Sequence, residues 1–225
     1  YQLIEFGRVN HSHMHNWAWL DQPVVASRLL GPDGSRTPGA RLAWLLPARW
    51  YSQVMVGGYN PDDGSLISFQ GEMEHDHDGG DEPERTIGGR LRADELTTGS
   101  LADLAYLVRW ENAADLGGVE AKLGLSWLTG PNATGVGERS DLYGADLVVA
   151  SKPSAGPFSS IKATVEAMWR SADAPETLEF GEDETEGTAD DFTAPADTLT
   201  DWGVYAQVEL GLGEHWLVGL RGEYA

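Results

Sequence analysis

The chain has 225 residues, no cysteine and a formal net charge of −21. The lack of cysteine excludes a disulfide scaffold and thiolate metal sites. So acidic a balance disfavours nucleic acid, which rewards basic surface. No run approaches the ~18 apolar residues of a transmembrane helix.

Residues 1–10 (YQLIEFGRVN) form a weak strand pattern. Residues 11–39 are a long connection with turn signals at Gly31-Pro32-Asp33-Gly34 and Thr37-Pro38-Gly39. Strands are predicted at 40–46 and 50–59, joined by Pro47-Ala48-Arg49. Residues 60–100 are polar and acidic. From Leu101 onward six segments of about ten residues alternate apolar and polar positions, the period of two that marks a strand. On one side lie, for example, Val108 and Trp110, Leu125 and Trp127, Tyr143 and Leu147, Val165 and Trp169, Trp202 and Val208, Val218 and Leu220. The opposite side mixes charges of both signs with glycine and small residues.

Strands of ~9–11 residues are long enough to cross a bilayer at a tilt, whereas soluble sandwiches average about 5–6. Aromatics near the segment ends (Trp110, Trp127, Tyr143, Trp169, Trp202, Trp216, Tyr224) suit girdles at two membrane interfaces. Connections alternate between short (47–49, 113–116, 153–158, 213–215) and long (11–39, 60–100, 129–139, 172–200). Short turns on one rim and long extracellular loops on the other are the outer-membrane pattern. The predicted fold is therefore an all-β, antiparallel up-and-down transmembrane barrel, with 1–225 as one domain. A soluble double layer would instead bury the apolar side and turn the charges outward. Nine or ten strands are visible. Nine would leave an open edge that lipid does not tolerate, so the expectation is a larger barrel truncated here at one or both ends.

The polar side supplies the predicted pore-lining residues: Arg109, Glu111, Glu120, Lys122, Asp146, Lys162, Glu166, Arg170, Gln207, Glu209, Arg221 and Glu223. Opposite charges on neighbouring strands pair across such a wall, closing a narrow barrel or tuning a wide one. Two loops hold much of the negative charge. Residues 60–100 carry eleven Asp/Glu against three Arg, and 172–200 carry ten with no Lys or Arg. They are either solvated rim loops, or a funnel for cations and a surface bridged by divalent ions to lipopolysaccharide.

Five of the six histidines fall in two tracts, His11-Ser-His13-Met-His15 and Glu74-His75-Asp76-His77-Asp78. Imidazole with carboxylate suits Zn²⁺ or another divalent cation. In an extended segment His11, His13 and His15 share a face. The competing reading is a hydrogen-bonded loop and a stretch of acidic low complexity. There is no HExxH and no GxSxG, so no enzyme is expected.

The run Asn10-His11-Ser-His13-Met-His15-Asn-Trp17, then Asp21-Gln22-Pro23, Leu29-Leu30-Gly31, and Pro38-Gly39-Ala40-Arg41-Leu42-Ala43-Trp44-Leu45-Leu46-Pro47 before Trp50-Tyr51 resembles a family of Gram-negative outer-membrane barrels, the zinc-regulated, TonB-dependent-receptor-like proteins. The likeness covers about a quarter of the chain. It implies outer-membrane localisation and a link to zinc or other metal uptake. The expected function is a channel or uptake barrel for small solutes. The alternative is a surface metal-binding or adhesion protein that uses the barrel only as an anchor.

Overall fold

The computed structural model describes residues 2–11, 19–71, 84–94, 96, 99–154, 156–179, 187–189 and 191–225; the His11 side chain is outside that description. Eight strands form one antiparallel sheet in chain order: β3 (Gly39–Leu45), β4 (Tyr51–Tyr59), β5 (Ala105–Asp115), β6 (Val119–Pro131), β7 (Arg139–Ser151), β8 (Phe158–Ala174), β11 (Asp197–Leu212) and β12 (Trp216–Tyr224). Two small hairpin-like pairs stand apart, β1 (Gln2–Leu3) with β2 (Arg36–Thr37) and β9 (Thr177–Glu179) with β10 (Phe192–Ala194). The edge strands β3 and β12 are not hydrogen-bonded to each other, so among the described residues the sheet is not closed. No helix among them is long and apolar enough to cross a membrane, which leaves crossing by strands untouched.

The eight predicted strands from 40–46 onward are all present. The first is not. Residues 2–10 do not join the main sheet; among them only Gln2–Leu3 forms a strand, and it pairs with Arg36–Thr37. Ile4 and Phe6 are wholly buried beneath the sheet, and Gly7 turns the chain at φ +62°, a backbone that other residues adopt at a cost. The main sheet thus has eight strands where nine or ten were expected, and its two edges, β3 and β12, are unpaired with each other among the described residues.

The two faces sort as their alternation predicts, and the apolar one is exposed. Leu42 and Trp44 are 75% and 71% exposed, and mid-sheet Leu125, Trp127, Leu147, Val165, Trp169 and Trp202 all lie between 42% and 47%. Across the inner strands the opposite face is buried under residues 2–11 and 19–38 and part of a long connection, while the edge strands β3 and β12 stay exposed. Helix α1 (Val24–Leu30) buries Val25, Ala26, Leu29 and Leu30. They join Ile4, Phe6, Leu66, Phe69, Leu107, Leu128, Leu142 and Met168 in one core. Each such side chain contributes about 1.5–3 kcal/mol of burial, so the covering layer is a packed core. A soluble double layer would hide the valines and tryptophans; here they face out.

The long connections also depart from the picture of solvated loops. In 60–100, Leu66 and Phe69 enter the core, the Ser68 hydroxyl donates to the Leu29 carbonyl at 2.6 Å, and Arg92 donates to the Gln70 carbonyl at 2.8 Å. In 172–200, β8 runs to Ala174 and β11 starts at Asp197, with β9 and β10 between them. Before β5, Ser100 and Asp103 form a capping box over Leu101–Asp103. Hydrogen bonds from the Ser100 hydroxyl, and then from the Ser100 and Gly99 amides, hold the Asp103 carboxyl below its ordinary value of 3.8. A folded-state value below the unfolded one stabilises the cap above the unfolded pKa and is lost as pH falls through the folded one. Ser100→Ala should therefore raise the Asp103 pKa in an NMR titration; an unchanged value would remove the hydroxyl as its main cause.

Candidate functional site

Strand register brings the charged residues of the polar face into rows. One row runs Gln53, Glu111, Gly124, Asp146, Glu166, Tyr205 and Glu223 across β4 to β12. It places two carboxyl groups, Asp146 and Glu166, directly opposite each other, an arrangement that repels unless each is compensated. Each is. Arg109, 2% exposed, donates to both oxygens of Asp146 at 2.7 and 3.2 Å, to Ser126 Oγ at 2.8 Å and to Glu111 at 3.2 Å. The fork geometry of guanidinium on carboxylate makes this the strongest kind of side-chain pair. Gly124 lies beneath it, and a Cβ there would collide with Arg109 and Asp146.

Glu166 is fully buried and faces the N-terminal segment. Its Oε1 accepts the Arg8 amide at 2.6 Å, and its Oε2 accepts the Val9 amide at 3.3 Å and the Tyr205 hydroxyl at 2.6 Å. The Gly7 amide donates to Ser126 Oγ at 3.2 Å. The segment is thus clasped to β6 and β8 through three successive backbone amides. Two glycines permit the approach. A Cβ on Gly7 would overlap Glu166 Oε1, and one on Gly144 would sit 2.9 Å from Phe6 Cζ.

All twelve residues predicted to line a pore fall on the polar face. Their surroundings differ: the side chains of Glu120, Lys122 and Lys162 are 53%, 37% and 38% exposed. Arg109, Asp146, Glu166, Arg170 and Glu209 are buried, four of them in contact with the covering layer or with each other. Lys162 pairs with Glu209 across β8 and β11 at 3.0 Å. Lys122 pairs with Glu120 at 2.8 Å on β6. Arg221 holds Asp21 at 2.8 Å and lies over the Trp19 ring at 5.3 Å, while Glu223 accepts the Val24 amide at 2.6 Å. Gln207 donates to Glu209 at 3.2 Å. Tyr205, Ser126 and Gly7 belong to the site and were not among the predicted residues. The one available signal was Tyr205 itself, a lone aromatic on the polar side of its strand.

Of the predicted metal ligands, His13, His15, Glu74, His75, Asp76, His77 and Asp78, with the His11 side chain, lie outside the described residues. Among the described residues no three His, Asp or Glu side chains are grouped to hold a metal ion.

The apolar face carries its own pattern. Trp127, Tyr143, Trp169 and Trp202 are register partners across β6, β7, β8 and β11. One step toward the long connections the same face turns polar, with Thr129, Asp141, Ser171 and Thr200 in register. The Trp127 indole donates to Asp141 Oδ1 at 2.9 Å across this border. Toward the short turns the face stays apolar to Ile161, Leu210 and Val218. From Trp202 to Leu210 that band runs about 27 Å along the strand at ~3.4 Å per residue. At the tilt of about 35–45° taken by strands of transmembrane barrels, a band of this length would span roughly 20 Å of height. Trp110 and Tyr224 lie one row inside the border, in register with Leu125 and Val204.

No family model matches the chain, and neither does any curated protein or solved structure.

Proposed function

We propose that this chain is the wall of an outer-membrane β-barrel that takes part in uptake of small solutes, with its passage closed at rest by residues 2–10 and helix α1. The observation that carries the reading is the exposed apolar band bounded by an in-register aromatic row and then a polar row. In water such a face is an aggregation surface; in a bilayer it meets acyl chains, and the tryptophans sit at headgroup level. The surrounding partners are then lipid and, around the long connections, lipopolysaccharide. The roughly 20 Å band is close to the ~25 Å apolar height of known transmembrane barrels.

The packed core on the polar face supports a closed state over a standing water channel. It equally favours a second reading, a barrel that only anchors surface loops. Planar-bilayer recording separates the two once the N-terminal segment is released.

The wall itself has a direct test. Val165 lies midway along the exposed apolar face of β8, and Thr129 lies beyond the aromatic row. Val165→Arg should lower folding stability in lipid vesicles by about 2–4 kcal/mol, and Thr129→Arg by no more than about 1 kcal/mol. Urea unfolding followed by tryptophan fluorescence measures both. Equal, small effects would mean that the band does not face hydrocarbon.

A further inference from the structure

Away from the Glu166 cluster, at the long-connection end of β8 and β11, two adjoining cavities of about 270 and 400 Å³ share Arg28, Ile87, Gly88 and Arg170 in their walls. We propose that they form a binding site for a small organic anion, a carboxylate or phosphate monoester carried on an apolar body.

The charges of the walls favour this sign of ligand. Three arginines, Arg28, Arg85 and Arg170, stand against two carboxylates, Glu84 and Asp201, in a chain whose net charge is −21. Arg85 is held by Glu179 at 3.4 Å, and Glu84 by Arg92 at 3.5 Å. That leaves Arg28 and Arg170 sharing a single carboxylate. Asp201 Oδ1 accepts from Arg28 at 2.6 Å, and Oδ2 accepts from Arg170 at 3.2 Å.

Arg170 is 8% exposed, and its Nη1 donates to Ser68 Oγ at 3.1 Å. Its buried Nε has no hydrogen-bond partner among the described residues. That Nε is itself shielded from the cavities; what faces a ligand is the pair of guanidiniums that share one carboxylate, and a planar or tetrahedral oxyanion accepts from two such N–H groups at once. Phe69, Ile67, Ile87 and Leu199 line the remaining wall, so the site also has surface for an apolar body. Asp201 then acts as an internal competitor for the two arginines.

The site goes beyond the membrane reading and survives its failure, since binding is measured on the folded chain whatever surrounds the sheet. Isothermal titration of the full chain in detergent uses benzoate, phenyl phosphate, inorganic phosphate and benzylamine as probes. Benzoate or phenyl phosphate should bind saturably at one site, more tightly than inorganic phosphate, and benzylamine should not bind. Arg28, with its side chain 47% exposed, can be truncated without opening the core. Arg28→Ala should weaken binding about tenfold. Asp201→Asn, which removes the competing charge, should tighten it; a structural role for Asp201 would weaken it. Near-UV circular dichroism checks that both variants keep the fold. The proposal is overturned if neither organic anion gives saturable heat, if benzylamine binds as well, if Arg28→Ala leaves affinity unchanged, or if Asp201→Asn lowers it.

Discussion

Arg109→Leu is expected to cost about 3–5 kcal/mol of folding stability, the penalty for removing one partner of a buried ion pair. Arg109 is 2% exposed and Asp146 3%, so the carboxylate left behind stays largely out of bulk water. Asp146 would lose both of its guanidinium hydrogen bonds while still facing Glu166 across the register. The double variant Arg109→Leu/Asp146→Leu removes the stranded charge as well. It should regain most of the loss, because replacing a whole buried pair with apolar groups is often neutral. Glu111 also loses a partner, but it is only half-buried and can turn to solvent. Urea unfolding of the three proteins decides the point. If single and double variants are equally destabilised, the pair is not what makes Arg109 necessary.

Glu166→Gln should release the N-terminal segment. The carboxyl group accepts three hydrogen bonds, two from backbone amides and one from Tyr205. An amide of the same shape turns an N–H₂ toward at least one of those donors. Hydrogen bonds to a charged acceptor are worth about 1.5–3 kcal/mol each, so local opening of the clasp should become at least ~10-fold more frequent. Hydrogen exchange at the Arg8 and Val9 amides reads this directly. Gly7→Val attacks the same contact from the other side, since its side chain would overlap Glu166 and its backbone sits at φ +62°. Unaltered exchange in both variants would show that the clasp does not hold the segment. Where exchange rises, planar-bilayer recording follows. Discrete openings in Glu166→Gln against a silent wild type support closed uptake; a released segment with no openings supports the anchor.

These contacts explain why some features were legible in the chain and others not. The outward set of Val108, Leu125, Tyr143, Val165, Trp169 and Trp202 was readable because a period of two is a local property of the backbone. Each strand states its own two faces without reference to its neighbours. The same locality misled at residues 1–10. Leu3 and Glu5 alternate with Ile4 and Phe6 as a strand would, yet these residues turn at Gly7 and pack across the sheet. The Gly7–Ser126 and Arg8–Glu166 hydrogen bonds span 119 and 158 residues, and no short window of sequence contains both partners.

The chain by itself determined the strands from residue 40 onward, their alternation of short and long connections, and which side of each is apolar. Only the tertiary structure decided the fate of the polar side. Register set Asp146 beside Glu166, the amides of residues 8 and 9 closed over Glu166, and Arg109 took up Asp146. Burial of Ile4, Phe6 and the leucines of helix α1 requires surfaces from β5 through β11 at once, so it arises only when distant strands are already side by side.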